Sequence, residues 1–226
     1  MRRPPEGAGT ADGATSLPGE PSRDCPLCPR LAGFRQDNRE RHPDYFNQPV
    51  PSFGDFRARL LIVGLAPGLH GANRTGRPFT GDYAGNLLYG SLLRHGLAHG
   101  AYEARGDDGL ELIDCLIANA VRCVPPSNKP LPAEISTCRQ FLAALIAGMP
   151  NVRAVLALGH IAYESVCRAL AVSARAHPFA HGATHTTGKL TLVASYHCSR
   201  YNTNTGVLTP ERFDAAVAAA KAAAIQ

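Results

Sequence analysis

The chain has 226 residues, 45% of them hydrophobic and 18% charged, the balance of a globular chain long enough to bury a sizeable core in one large domain or two small ones. Its longest apolar stretches, around Leu60 to Leu69 and Ala154 to Ala162, contain Gly, Pro or His and fall short of the roughly 18 to 20 residues that span a bilayer, so no membrane span is expected. The net charge of +5 permits a polyanionic partner without demanding one.

No apolar run follows Arg2 and Arg3, which argues against a secretory signal, and the chain is expected to stay inside the cell. Residues Met1 to Arg23 are Gly, Pro, Ser, Thr and Ala with scattered charge and only Leu17 as a large apolar side chain; they read as a disordered tail ahead of one domain, 24–226. From Leu60 onward short β-favouring runs alternate with helix-length amphipathic segments. The first strand is Arg59 to Gly64, followed by a Gly-rich loop and a helix from about Asp82 to Arg94 with Leu87, Leu88 and Leu92 at helical spacing. A second strand covers Leu112 to Val121. After a Pro-rich loop comes a helix over Ala133 to Ala147, then a third strand at Ala154 to Leu158 and a helix over His160 to Leu170. Ser173 to Gly188, with its His, Gly and Pro, reads as loop, and Leu190 to Ser195 as the fourth strand. The last helix opens with Thr209 as N-cap and Pro210 at its first position. Four strand-helix alternations imply an α/β domain with a mainly parallel sheet covered on both faces, whose ligands lie beyond the carboxyl ends of the strands. The polar clusters obey this: the loop after Gly64, Asn119 to Cys123, Gly159-His160 and Tyr196-His197 all sit at strand ends.

Seven Cys is an odd number for a disulfide framework, and reduced thiols are free to bind metal. Cys25 and Cys28 form a Cys-x-x-Cys pair ahead of the first strand, and Cys123 and Cys138 flank a loop carrying Pro125, Pro126, Pro130 and Pro132. A four-cysteine zinc ribbon would want a second Cys-x-x-Cys pair, and a thioredoxin-like pair would sit between a strand and a helix. The long loop between the third and fourth thiolates suits a bulky cluster better than a single ion, which favours a 4Fe-4S site; zinc or unpaired buried thiols are the alternatives. Cys115 and Cys167 sit among apolar neighbours and read as core thiols. His177, His181 and His185 recur every four residues, but Pro178 and Gly182 interrupt the helix that would make them metal ligands.

The loop from Gly64 to Gly71 lacks the Gly-Lys-Ser/Thr of a phosphate-binding loop, which disfavours a small-molecule nucleotide enzyme. Three stretches, GLAPGLHGANRTGRPFTGD from Gly64, NAVRCVPPSNKPLP from Asn119 and YHCSRYNTNTG from Tyr196, resemble the B-type (family 5) iron-sulfur uracil-DNA glycosylases. The resemblance runs from Cys25 to the last helix. It implies a three-layer α/β/α fold with a four-stranded parallel sheet, a structural 4Fe-4S cluster on Cys25, Cys28, Cys123 and Cys138, and removal of uracil and other deaminated bases from double-stranded DNA by a monomer. On matching positions Phe79 would stack on the flipped base, Asn119 would bond its polar edge, His197 would face the O2 side, and Asp82 would hold or activate water. Gly64, Gly68 and His70 would line the substrate loop. The segment from His197 to Asn204, with Arg200, Tyr201 and Asn202, resembles a minor-groove loop, although Cys198 stands where Pro is expected.

The residue types suit that chemistry. Breaking an N-glycosidic bond leaves negative charge on the base and positive charge on the sugar, so donors are needed at the base oxygen and an anion near the sugar. His197 and Asn119 suit the first task and Asp82 the second, while Phe79 supplies a flat surface for an extruded base. Each has a structural rival: Asp82 as helix cap, Asn119 as satisfied core amide, Phe79 as plain core, His197 as structural. Arg74, Arg77 and Arg200 are candidate phosphate contacts against ordinary solvated charges. Leu65 and Ala66 are apolar where many such enzymes carry a carboxylate before the loop Pro, which promotes Asp82. No Lys lies at a strand end to form a Schiff base, so the activity expected is monofunctional; a non-catalytic iron-sulfur module for DNA binding or redox sensing is the competing reading.

Overall fold

A computed structural model describes residues 18–226. Its strands are β1 Phe53–Gly54, β2 Leu60–Gly64, β3 Ala98–His99, β4 Glu111–Leu112, β5 Cys115–Asn119, β6 Ala154–Leu158, β7 Thr184–Thr187 and β8 Leu190–Ser195. The helices are α1 Pro29–Arg41, α2 Ala72–Thr75, α3 Tyr83–Arg94, α4 Pro132–Gly148, α5 His160–Ala169, α6 Arg200–Asn204 and α7 Pro210–Ile225. Six strands form the main sheet in the order β1-β5-β2-β6-β8-β7. The four inner ones are mutually parallel, as the strand-helix rhythm predicts, while β1 and β7 add antiparallel edges, so the expectation of four strands is corrected to six. The edges escape a hydrophobic reading for physical reasons. β1 has only two residues, and β7 is Thr-His-Thr-Thr, joined to β8 by the two-residue turn Gly188-Lys189.

The inner strands are buried on both faces, and alternation divides their side chains between two cores. Leu60, Ile62, Cys115, Ile117 and Val193 pack with residues of α3 and α7, whereas Leu61, Val63, Leu116, Val155 and Ala194 pack with residues of α4 and α5. Burial of each Leu, Ile or Val side chain stabilises the layers by about 1.5–3 kcal/mol. Cys115 and Cys167 are core thiols, and the Cys198 thiol is also fully buried, donating to the Ala84 carbonyl at 3.5 Å.

Of the segment Met1 to Arg23 expected as a tail, residues 1–17 lie outside the described residues. Glu20, within its last part, already packs: it accepts from the Ser52 N–H at 3.1 Å and pairs with the buried Arg122 at 3.3 Å. Next comes α1, which hydrophobic periodicity does not reveal because its buried positions, Leu31, Arg35 and Asn38, are mostly polar. Arg30 makes a bidentate pair with Glu134 at 2.7 Å, tying the start of α1 to the start of α4.

Arg77 corrects a second expectation. Its side chain is buried, bidentate to Asp108 at 2.7 Å, bonded through Nε to Thr80 Oγ1 at 2.9 Å, and set over the rings of Phe53, Tyr89 and Tyr102 at 5.1–5.7 Å. It is not available to a phosphate. Truncating Asp108→Ala leaves this guanidinium buried and unpaired and is expected to cost about 3–5 kcal/mol, read as a lowered unfolding midpoint. The Arg77 hydrogen bonds hold the Asp108 carboxyl well below its usual range, so the pair's contribution is complete above about pH 4 and fades as the medium becomes strongly acid. A midpoint equal to wild type would contradict the pairing.

Candidate functional site

The parallel register sets Gly64 of β2 beside Asn119 of β5 at the carboxyl end of the sheet. The loops that leave these strands, the start of α3 and the segment after β8 enclose a cleft of about 360 Å³ lined by Pro67, Gly68, Phe79, Asp82, Asn119 and His197 among others. Phe79 has φ +55°, a left-handed conformation that costs an aromatic residue strain. Its ring lies over Gly64 so closely that a Cβ there would fall 2.5 Å from Phe79 Cζ and 2.6 Å from Asn119 Oδ1. Only glycine lets these two side chains meet at the strand end.

Asn119 is 3% exposed, and among the described residues no protein group hydrogen-bonds its side-chain amide. A polar amide at the end of an apolar strand with no partner is poised for a ligand. Asp82 caps α3, accepting the Gly85 N–H on Oδ1 at 3.0 Å; its Oδ2 faces the first loop, 3.7 Å from where a Gly68 Cβ would stand. Cap and reacting carboxylate are thus compatible, one oxygen for each. His197 follows β8, with its ring centroid 6.0 Å from that of Phe79 and the planes inclined by 27°. Asn202 Nδ2 donates to the His197 carbonyl at 2.8 Å and Ser199 caps α6, which fixes the turn carrying the imidazole. Burial pushes the imidazole below its ordinary range, and the Asp82 carboxylate opposes that shift. Burial thus disfavours the imidazolium, and the neutral ring keeps one N–H to donate.

The structure separates the other expected residues. Gly64 forms the floor beneath Phe79. His70 lies outside the cleft lining, its Nδ1 3.0 Å from the Tyr45 hydroxyl, with His42 stacked on Tyr45 behind it. Asn202 is half-buried, and its Nδ2 holds the His197 carbonyl. Arg74 and Arg200 are exposed, Arg200 over the Tyr83 ring, and Tyr201 is 74% exposed. The sequence reading missed Asn128 and Ser199 in the cleft wall. Asn128 sits in a Pro-rich turn with Ser127, both at left-handed φ near +55°, a conformation that Asn tolerates best among residues with a side chain. That tolerance was the signal available.

On the α4 side, Cys25, Cys28, Cys123 and Cys138 line one cavity with Leu27, Leu31, Arg122 and Phe141. Arg35 Nη1 donates to Cys123 Sγ and the Arg122 backbone N–H to Cys138 Sγ, each at 3.4 Å. Among the described residues no three His, Cys, Asp or Glu side chains are grouped closely enough to hold a single metal ion. Desolvation pushes the Cys123 thiol up to about 11 and that of Cys138 up to about 12. His177 and His185 lie with ring centroids 5.2 Å apart, while His181 Nδ1 accepts the Tyr196 N–H at 3.2 Å and His185 Nε2 lies 3.2 Å from the Pro178 carbonyl, and the three form no metal-holding group among the described residues.

The His197 environment gives a signed prediction. In an NMR titration the ring is expected to titrate below 6.5, and Asp82→Asn is expected to lower it further, because the carboxylate is the neighbour that favours imidazolium. The same depression removes folding stability as pH falls through 6.5, where the unfolded chain begins to bind the proton. A midpoint that rises in Asp82→Asn would refute the arrangement.

Comparison with known proteins agrees with this geometry. Residues 51–221 match the family described as the uracil DNA glycosylase superfamily. The type-5 uracil-DNA glycosylase of Thermus thermophilus is 46% identical over 195 residues, covering 84% of this chain and 89% of the relative. That of Pyrobaculum aerophilum is 40% identical over 191 residues, covering 83% of each, and that of Mycobacterium leprae 43% over 201 residues, covering 84% and 87%. With most of both chains aligned and the strand-end cleft in place, this chain belongs to the uracil DNA glycosylase superfamily, in its type-5 branch.

Proposed function

We propose that the protein is a monofunctional DNA glycosylase that hydrolyses the N-glycosidic bond of uracil, and of other deaminated bases, in double-stranded DNA. The observation that carries this reading is the convergence of an unpartnered Asn119 amide, a neutral His197 and a free Asp82 oxygen around the Phe79 ring. A base inside a duplex must first leave the stack. Phe79 offers its face and Asn119 both a donor and an acceptor for the polar edge. As the C1′–N bond breaks, its electron pair leaves with the base, and the His197 N–H stabilises the oxygen on which that charge develops. Water adds to C1′, and the Asp82 carboxylate orients it, offsets positive charge on the sugar and receives the released proton. Exposed Arg74, Arg200 and Tyr201 supply cations and an aromatic edge for the strand around the extruded nucleotide.

Asn is itself a good N-cap, so Asp82→Asn keeps the start of α3 while removing the charge. Single-turnover excision of uracil is expected to fall about 10²-fold or more in Asp82→Asn and in His197→Ala. Wild-type rates in Asp82→Asn would leave Asp82 a cap only.

Substrate range rests on Gly68. The family resemblance implies that narrowly uracil-specific members carry a Tyr at this point, against the C5 position; here there is no side chain, and the nearest heavy atom to a built Cβ is Asp82 Oδ2 at 3.7 Å. The cleft therefore accepts larger bases, with rejection of normal ones resting on the cost of unpairing and on the edge contacts. Excision of hypoxanthine as well as uracil is expected, narrowing toward uracil in Gly68→Tyr. Hypoxanthine duplexes left intact by excess enzyme would overturn the open-wall argument.

A 4Fe-4S cluster on Cys25, Cys28, Cys123 and Cys138 fits the residues present. A single zinc at about 2.3 Å from each sulfur would draw the four together, whereas a cubane holds them further apart. Arg35, whose Nη1 already donates to Cys123 Sγ, has a buried Nε without an acceptor among the described residues, and its cation would stand beside an anionic sulfur cluster there. When bound, such a cluster supplies a crosslink between the N-terminal segment and the loop after β5. Protein purified under low oxygen is expected to be brown with about four irons per chain. Colourless active protein with stoichiometric zinc would refute it.

A further inference from the structure

Phe79 holds a left-handed backbone at the wall of the cleft, and four consecutive residues around it are fixed from outside the cleft. The Arg77 guanidinium is pinned by Asp108 and enclosed by the rings of Phe53, Tyr89 and Tyr102. The Pro78 carbonyl accepts from the fully buried Tyr89 hydroxyl at 2.6 Å. The Phe79 carbonyl accepts from the Tyr102 hydroxyl at 3.2 Å, and the Thr80 hydroxyl accepts from Arg77 Nε at 2.9 Å. Tyr89 and Tyr102 stack on one another with centroids 4.6 Å apart. On the other side α3 closes in: a Cβ on Gly85 would collide with the Phe79 carbonyl and the Tyr102 hydroxyl. Neither Tyr102 nor Asp108 touches the cleft; both come from the excursion between β3 and β4.

We propose that Tyr102 and Tyr89, braced by the Arg77–Asp108 pair, are positioning residues that hold the strained Phe79 backbone so that its ring faces the extruded base. This rests on the reading of Phe79 as the base-stacking residue. Without the two hydroxyl donors the Phe79 backbone relaxes toward right-handed values, and the ring leaves the floor above Gly64. A misplacement of about 1 Å at such a surface lowers rate by about 10- to 100-fold.

The test is a double-mutant cycle on the full chain with two readouts: single-turnover excision of uracil from a duplex, and flipping reported by 2-aminopurine fluorescence beside a cleavage-resistant 2′-fluoro-deoxyuridine. Tyr102→Phe is expected to lower excision about 10-fold and to reduce the flipping signal, with an unchanged thermal midpoint. Phe79→Leu is expected to lower both further, and adding Tyr102→Phe to it is expected to change the rate by less than about twofold. Additive effects, or a slowed excision with full flipping, overturn the positioning role. If Phe79→Leu leaves both readouts at wild-type values, the stacking reading has failed and the proposal with it. Tyr89→Phe, carried through the same cycle, decides the matter should Tyr102→Phe not fold.

Discussion

Phe79 lies over the end of the sheet because residue 64 has no side chain. That single close approach organises the site: it leaves room at the strand end for both the Phe79 ring and the Asn119 amide, and the chain reaches it with Phe79 in a left-handed conformation. Such strain persists only where the surroundings over-determine it. The surroundings here are a buried Arg77–Asp108 pair, two tyrosine hydroxyls and a helix that begins immediately afterwards with Asp82 as its cap. Cap and stack are therefore one construction, and the carboxylate oxygen left over from capping lies in the cleft beside the ring.

The same constraint explains why four loops from separate strands can act together. Parallel pairing leaves the carboxyl ends of β2, β5, β6 and β8 at one edge, and register puts Gly64 opposite Asn119 and Leu158 opposite Ser195. His197 stands two residues beyond Ser195, and its backbone carbonyl is held by Asn202 and its Cβ faces Gly159 at the end of β6. Enclosure by these loops disfavours the charged imidazolium. A neutral donor is suited to a developing base anion, since no proton must be gained before the bond breaks.

What could be read in advance follows from where the information sits. The four inner strands and α3, α4, α5 and α7 announce themselves because their buried faces are apolar. α1 does not, since Arg35 and Asn38 occupy its buried face and bond to sulfur and backbone rather than to a core. β7 has no large apolar residue, although its Thr content and the Gly188-Lys189 turn were legible signs of a hairpin. Site residues divide in the same way. Asn119 and His197 at strand ends, and Phe79 and Asp82 in the loop between β2 and α3, meet in the cleft, whereas Arg77, an arginine in the same polar loop as Arg74, was separated from it by Asp108, thirty-one positions away in sequence. Residue type and loop position cannot distinguish two such arginines. Only the fold reveals that one is enclosed by aromatic rings.

The cysteine cavity and the cleft are joined by one stretch of chain. From Asn119 the backbone passes Arg122 and Cys123, turns through Pro125 and Pro126 to bring Asn128 into the cleft wall, and caps α4 at Leu131 before reaching Cys138. The prolines fix φ through this turn, leaving it few ways to relax. At its two ends Arg122 is anchored by Glu20, Ser52 and the Gly19 carbonyl, and Glu134 by Arg30 and the Leu131 N–H. Cys123 and Asn128 thus lie on one short proline-containing stretch that is anchored on both sides. The cysteine cavity and the cleft share no lining residue, and this stretch of chain is what runs from one to the other.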